Sequence, residues 1–216
     1  MLILSLDSAS SACSACVWRD GKVLAQVLEP MERGQDQRMM PLLIDLMKQA
    51  SVSFDDLDRI AVTRGPGSFT GLRIGLAAAR GIGLAADKPV IGVDRFAIFR
   101  EQVQQPGKKL LVVINSKRKE LFIQFYATDN SISSPAMMTQ EEILDFLKLN
   151  PDTVVAGDAI DTALPGFVKT TQLEAVTGAL LASRTAVGDL AYLPRPLYIR
   201  APDVTIKPVP VEACHD

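Results

Sequence analysis

The stretch Arg64-Gly65-Pro66-Gly67-Ser68-Phe69-Thr70-Gly71-Leu72-Arg73-Ile74-Gly75 restricts the fold of this chain more than any other. An apolar strand candidate, Arg59 to Thr63, runs into it, and an apolar helix candidate, Leu72 to Ala86, runs out of it. Glycine-rich strand-to-helix turns are α/β elements, and many bind phosphate at the helix N-terminus. This one departs from the common versions. A Walker A loop needs a lysine at the helix start, and none is present; the dinucleotide fingerprint needs a glycine where Thr70 stands. The spacing favours a shaped connection over a ligand loop. Gly65 and Gly67 would supply backbone angles closed to other residues, Pro66 would fix one φ, and Ser68 or Thr70 would cap the helix.

The helix that follows is unusual. Gly71, Gly75, Ala79 and Gly83 recur every four residues and fall in one row. Interior glycine costs about 1 kcal/mol against alanine, and Gly75, Gly81 and Gly83 are interior. Such a row admits a closely approaching backbone. The expectation is a second helix, within the chain or on a partner. Arg73 and Arg80 interrupt the run, which is too short to span a bilayer.

With 216 residues, 48% of them hydrophobic, the chain is long enough for one large domain or two small ones. Its 23 basic and 25 acidic residues give a net charge of −2, against a broad nucleic-acid-binding face. The start, Met1-Leu2-Ile3-Leu4, lacks the basic residues of a signal peptide and no run reaches transmembrane length, so a soluble cytoplasmic protein is expected. Cys13 and Cys16 lie on a strand, three apart, and so on opposite faces; Cys214 is in the tail. The only histidine is His215, which removes Ser-His-Asp, Cys-His and H-E-x-x-H chemistry from the body of the chain and with it protease activity.

In order, Leu2–Leu6, Cys13–Arg19 and Lys22–Leu28 read as three antiparallel strands, the last two joined at Asp20-Gly21. A helix from Gln37 to Ala50 carries Met39, Met40, Leu43 and Met47 at helical spacing, with Pro41 in its first turns. Ser53-Phe54-Asp55-Asp56 reads as a short helical turn. After the glycine-rich helix come a strand at Pro89–Val93 and a helix from Arg95 to Gln104, and Gln105-Pro106-Gly107 breaks the chain. The second half repeats the plan: strands at Leu110–Ile114, Leu121–Ala127 and near Ser134–Met138, a helix opened by the capping box Thr139-Gln140-Glu141-Glu142, and a strand at Thr153–Ala156 ended by Gly157-Asp158. A helix from Leu173 to Val187 and an extended Pro194–Ile199 follow. This predicts a duplicated α/β unit with a cleft: an N-terminal half over 1–104, a smaller C-terminal half over 105–200, and an extended or disordered tail over 201–216.

The segments Leu2 to Ser8, Gln37 to Pro41, Arg64 to Gly75 and Pro89 to Val93, and more weakly Ile114 to Arg118, Gly157-Asp158 and Pro196 to Arg200, resemble the bacterial TsaB (YeaZ) family over nearly the whole chain. The resemblance implies an actin-like (ASKHA) fold of two RNase-H-like halves, with mixed sheets and flanking helices. It implies a non-catalytic partner of the TsaD enzyme, alongside the ATP-hydrolysing TsaE, in making threonylcarbamoyladenosine on tRNAs that read ANN codons. It implies pairing with TsaD, or with a second copy, through the first two helices. No cofactor or metal is expected, and tRNA is expected to be met only through the complex. Two positions depart from the family pattern, Gln35-Asp36-Gln37 for His-Ser/Thr-Gln and Asn115 for an aspartate, and both weaken an active site here.

The expected partner interface is Met39, Met40, Leu43, Met47, Gly71, Arg73, Gly75, Ala79 and Gly83, with Gly75→Leu or Ala79→Glu expected to break association without unfolding. The alternative is an ATPase- or kinase-like protein, with Asp7, Ser8, Gly157 and Asp158 as a vestigial nucleotide site. Lys117-Arg118-Lys119 reads as a charged hairpin tip, with a tRNA-backbone contact as the other reading.

Overall fold

The computed structural model describes residues 1–103, 105, 107–129, 131–159, 164–168, 170 and 173–199. The expected tail, with Cys214 and His215, lies outside them. The first sheet holds β1 (Leu2–Asp7), β2 (Ala12–Arg19), β3 (Lys22–Pro30), β4 (Arg59–Thr63) and β5 (Val90–Val93) in the order β3-β2-β1-β4-β5. The β2–β3 hairpin turns on Asp20 (φ 47°) and Gly21 (φ 90°), the positive angles a two-residue primed turn requires. The parallel β1–β4 and β4–β5 pairs need crossovers, supplied by α1 (Gln35–Gln49) and α2 (Phe69–Ala85).

The second sheet holds β6 (Leu110–Ile114), β7 (Glu120–Tyr126), β8 (Ala136–Thr139) and β9 (Val154–Gly157), ordered β8-β7-β6-β9 with the β6–β9 pair parallel. Its crossover is α4 (Gln140–Leu149), opened by the full capping box between Thr139 and Glu142. Four strands of each half therefore follow one plan. Ser53 to Asp56 forms a turn rather than a helix, because the Asp56 carboxylate accepts both the Ser53 amide and its hydroxyl at 2.8 Å.

Alternation along the strands splits the first core in two. Leu2, Leu4, Leu6, Cys13, Ala15 and Val17 face α1 and α2, whereas Ile3, Cys16, Trp18 and Ala61 face the other way. That second face is covered by α5 (Glu174–Arg184) through Ala175, Val176, Ala179 and Ala182. The boundary expected at 105–200 therefore needs correction: α5 and the segment after it return to the first half, because its sheet has a second apolar face, which Ile98 covers only in part and α5 completes. The α3 helix (Arg95–Val103) sits between the halves, with Phe96 and Phe99 packed on Val112, Ile114 and Ala156. Among the described residues no helix is long and apolar enough to cross a membrane.

Candidate functional site

Two places could carry function, the cleft between the halves and the outer face of α1 and α2. Asp7, Gly157 and Asp158 do converge at the cleft, in a cavity of about 270 Å³ that Glu174 also lines. Asp7 is a buried turn acceptor: its carboxylate takes the Ala9 amide at 3.1 Å and the Ser10 hydroxyl at 3.3 Å. Ser8 points elsewhere, donating to the Gly71 carbonyl at 2.8 Å. Gly157, at φ 140°, lies so close to β6 that a Cβ there would stand 1.8 Å from the Val113 oxygen.

The centre of the cleft is filled by Arg95, only 1% exposed. Its Nε and Nη2 donate to the two Glu174 oxygens at 2.6 Å, Nη2 also to Asp158 Oδ2 at 2.7 Å, and Nη1 to the Pro66 carbonyl at 3.2 Å. Asp158 Oδ1 accepts the Asn115 amide at 2.7 Å. Burial works against the Arg95 charge, but the charges of Asp158 and Glu174 outweigh it and hold the guanidinium firmly protonated. Three carboxylates share this one cation. Burial pushes the Glu174 carboxyl up to about 7; Arg95 opposes the rise and the charge of Asp7 adds to it. A divalent cation would have to displace a guanidinium held by four contacts, and no cluster of metal-ligating side chains exists among the described residues. These residues do not fit the metal–nucleotide site that the alternative reading requires. Sequence reasoning missed Arg95 and Glu174, since a lone charge at a helix start reads as solvated.

The glycine-rich loop acts as scaffold here. Gly65 has φ 112° and precedes a cis Pro66. Gly67 is needed for space, since a Cβ would lie 2.3 Å from the Ala9 carbonyl oxygen. Ser68 caps α2, accepting the Gly71 amide at 3.2 Å. The small row faces inward, onto strands and the β1–β2 turn and not onto a helix. A Cβ on Gly71 would meet the Ser8 oxygen at 1.9 Å, on Gly75 the Ser8 hydroxyl at 2.6 Å, and on Gly83 a Val90 methyl at 2.5 Å. Ala79, Met39, Leu43 and Met47 are buried in the same core. The expected interface is corrected accordingly: Met39, Leu43, Met47, Gly71, Gly75, Ala79 and Gly83 are turned into the chain by the large residues beside them, Leu72, Leu76 and Ile82. Gly75→Leu and Ala79→Glu would strike the core.

Of the expected set Met40 and Arg73 are exposed, and they lie beside a face the sequence reading missed. The α1 and α2 helices pack side by side over the sheet. Arg38 holds Glu29 of β3 with two bonds of 2.7 and 2.6 Å, which fixes that flank of α1 toward β3. At about 100° per residue, Met40 and Ile44 fall on the opposite flank, beside α2. They are 38% and 40% exposed. On α2 a second small row, Ala77, Gly81 and Ala85, faces outward, and Leu84 beside it is 88% exposed. Among the described residues, nothing lies within 4 Å of where a Cβ on Gly81 would be.

A sequence model described as "TsaD: tRNA N6-adenosine threonylcarbamoyltransferase" matches residues 23–165. The chain is 35% identical over 133 residues to the tRNA threonylcarbamoyladenosine biosynthesis protein TsaB of Escherichia coli K12, covering 61% of this chain and 57% of that one. The aligned stretch thus spans little more than half of that relative. An uncharacterised protein of Mycobacterium bovis is 30% identical over 97% of this chain and 95% of its own length. A crystal structure of an uncharacterised Pseudomonas aeruginosa protein with similarity to peptidase YEAZ superposes with a TM-score of 0.72 at 25% identity, covering 92% of this chain and 99% of that one. The actin-like pair of RNase-H-like halves, the glycine-rich loop between β4 and α2, and these relatives agree, and the chain belongs to the TsaB (YeaZ) family.

Proposed function

We propose that this chain is a non-catalytic subunit that docks on a TsaD-type threonylcarbamoyltransferase, with a TsaE-type ATPase, in forming threonylcarbamoyladenosine next to the anticodon of tRNAs reading ANN codons. The docking surface is the outer face of α1 and α2: Met40, Ile44, Ala77, Gly81, Leu84 and Ala85. One observation carries this reading. Gly81 sits inside α2, on its outer face, at a cost of about 1 kcal/mol against alanine, and among the described residues nothing lies within 4 Å of where its Cβ would be. A smooth row flanked by exposed Met, Ile and Leu is what a closely approaching partner helix requires. The same face would serve a homodimer, which would then compete with the enzyme. A non-catalytic role is supported by the cleft, where Arg95 already neutralises the acidic centre.

The test is co-expression with the TsaD-type protein of the same organism, followed by size-exclusion chromatography. Gly81→Leu and Leu84→Glu should each abolish co-elution while leaving the far-UV spectrum and melting midpoint of the isolated chain intact. Co-elution of both folded variants at wild-type yield would refute this docking face.

A further inference from the structure

Residues 193–199 have no regular secondary structure, yet they are fixed along the flank of α2 that faces away from α1. Arg80 donates to the Pro194 carbonyl, and Arg73 Nε donates to the Tyr198 hydroxyl at 3.4 Å. The segment therefore runs antiparallel to the helix over about 10 Å, the length of seven helical residues. The Leu197 amide donates to the Arg64 carbonyl at 2.7 Å, and Gly92 leaves room for Leu193 and Pro194 to cross β5. At the far end Tyr198 stacks on Phe69 with ring centroids 5.0 Å apart, and the Arg73 guanidinium lies 3.9 Å from the Phe69 centroid. Phe69, Arg73 and Arg80 fall within about 40° of one another around the helix. Arg73, Arg80, Arg195 and Tyr198 are all exposed. Neither Phe69–Ala85 nor 190–199 contains a single Asp or Glu.

A chain of net charge −2 thus presents one ledge with the guanidinium groups of Arg73 and Arg80, an exposed Arg195 on the segment beside them, two aromatic rings and no carboxylate on either element that forms it. We propose that this ledge binds RNA, the arginines on backbone phosphates and Tyr198 under a base. Arginine matches phosphate geometry with two parallel donors, and arginines interleaved with aromatic rings form a platform for single-stranded nucleic acid. The ledge borders the docking face on α2, so RNA held by the enzyme could run onto it. That the RNA is a tRNA rests on the function proposed above; the ledge itself does not.

The isolated chain is tested first, with an anticodon stem-loop RNA at 25 mM salt, by NMR of arginine Nε–H groups and the Tyr198 ring. In the wild-type chain, shifts confined to Arg73, Arg80, Arg195, Phe69 and Tyr198 are expected, with the shifts of the Phe69 and Tyr198 rings lost in R73Q/R80Q/R195Q and largely kept in the triple lysine variant. No shift, or shifts elsewhere, overturns the ledge without touching the docking proposal, which fails separately as lack of co-elution with the enzyme. In the reconstituted complex the triple glutamine variant should weaken tRNA binding about 10-fold at 150 mM salt and flatten the salt dependence by two to three contacts. Unchanged tRNA affinity together with weakened assembly would make the ledge part of the protein interface and refute the RNA assignment.

Discussion

Arg95→Met measures what the cleft is for. Arg95 makes four hydrogen bonds, three of them to carboxylates, at 1% exposure. Methionine fills much of the same volume but leaves Asp158 and Glu174 facing each other without a cation. Removing one partner of a buried pair costs about 3–5 kcal/mol because the remaining charge is uncompensated. That is a large part of the roughly 5–15 kcal/mol that holds a domain folded. The loss should depend on pH. Glu174 already stands at about 7 in the folded chain, and losing Arg95 removes what holds it down, so its folded value rises further. The folded variant then binds a proton that the unfolded chain releases near pH 4.5, and stability falls as pH rises through that interval. Urea unfolding at pH 5.5 and pH 8 should show a small deficit at the lower pH and the full one at the higher. The double variant Arg95→Met, Glu174→Leu should recover most of it, since an apolar pair replaces a broken ionic one. A deficit below about 1 kcal/mol at pH 8, or one independent of pH, would refute the view that Arg95 neutralises the cleft.

Glu174→Gln should flatten the wild-type pH profile: a carboxyl raised from 4.5 to about 7 removes stability as pH climbs through that window, by at most about 3–4 kcal/mol at 1.36 kcal/mol per unit, as read by denaturant titration. Gly81→Ala should raise the melting midpoint of the isolated chain by about 2–4 °C, since about 1 kcal/mol of helix propensity is gained with nothing to strike; a lower midpoint would mean that Gly81 is needed within the chain. Gly71→Ala should do the reverse and destabilise by about 1–3 kcal/mol, because its Cβ would stand 1.9 Å from the Ser8 oxygen; a neutral thermal scan would contradict the close packing of α2 on the β1–β2 turn.

Most strands and helices were legible because their signals are local. Asp20-Gly21 needs only its own two residues to specify the hairpin, and Arg59–Thr63 and the Thr139 box are bounded by neighbours in sequence. The direction of the glycine row was harder. Gly71-Gly75-Ala79-Gly83 and Ala77-Gly81-Ala85 share one spacing, so periodicity alone does not say which faces the sheet. The discriminating signal was present in Leu72, Leu76 and Ile82, which flank the first row and draw it inward. Arg95 was out of reach for a different reason. Its partners Asp158 and Glu174 lie 63 and 79 residues away, and only the return of α5 to the first sheet brings Glu174 in. An apolar stripe such as Ala175, Val176, Ala179 and Ala182 announces burial but not which sheet it meets.

The duplicated plan supports the proposal that function sits outside the cleft. In each half the first and fourth strands run parallel, and each half sends one carboxylate into the space between: Asp7 from the end of β1, Asp158 from the end of β9. In this chain both carboxylates are committed, Asp7 to its own turn and Asp158 to Asn115 and Arg95. Groups held this fully by their own chain have little freedom to exchange a ligand. Among the described residues, local rules are broken without internal return at Gly81, a glycine on the outer face of α2, and at Leu84, an apolar side chain left exposed. Natural sequences keep such violations where something outside the chain compensates them. The cleft therefore holds the halves together, and the exposed glycine and leucine on α2 are the ground on which the docking face is proposed there.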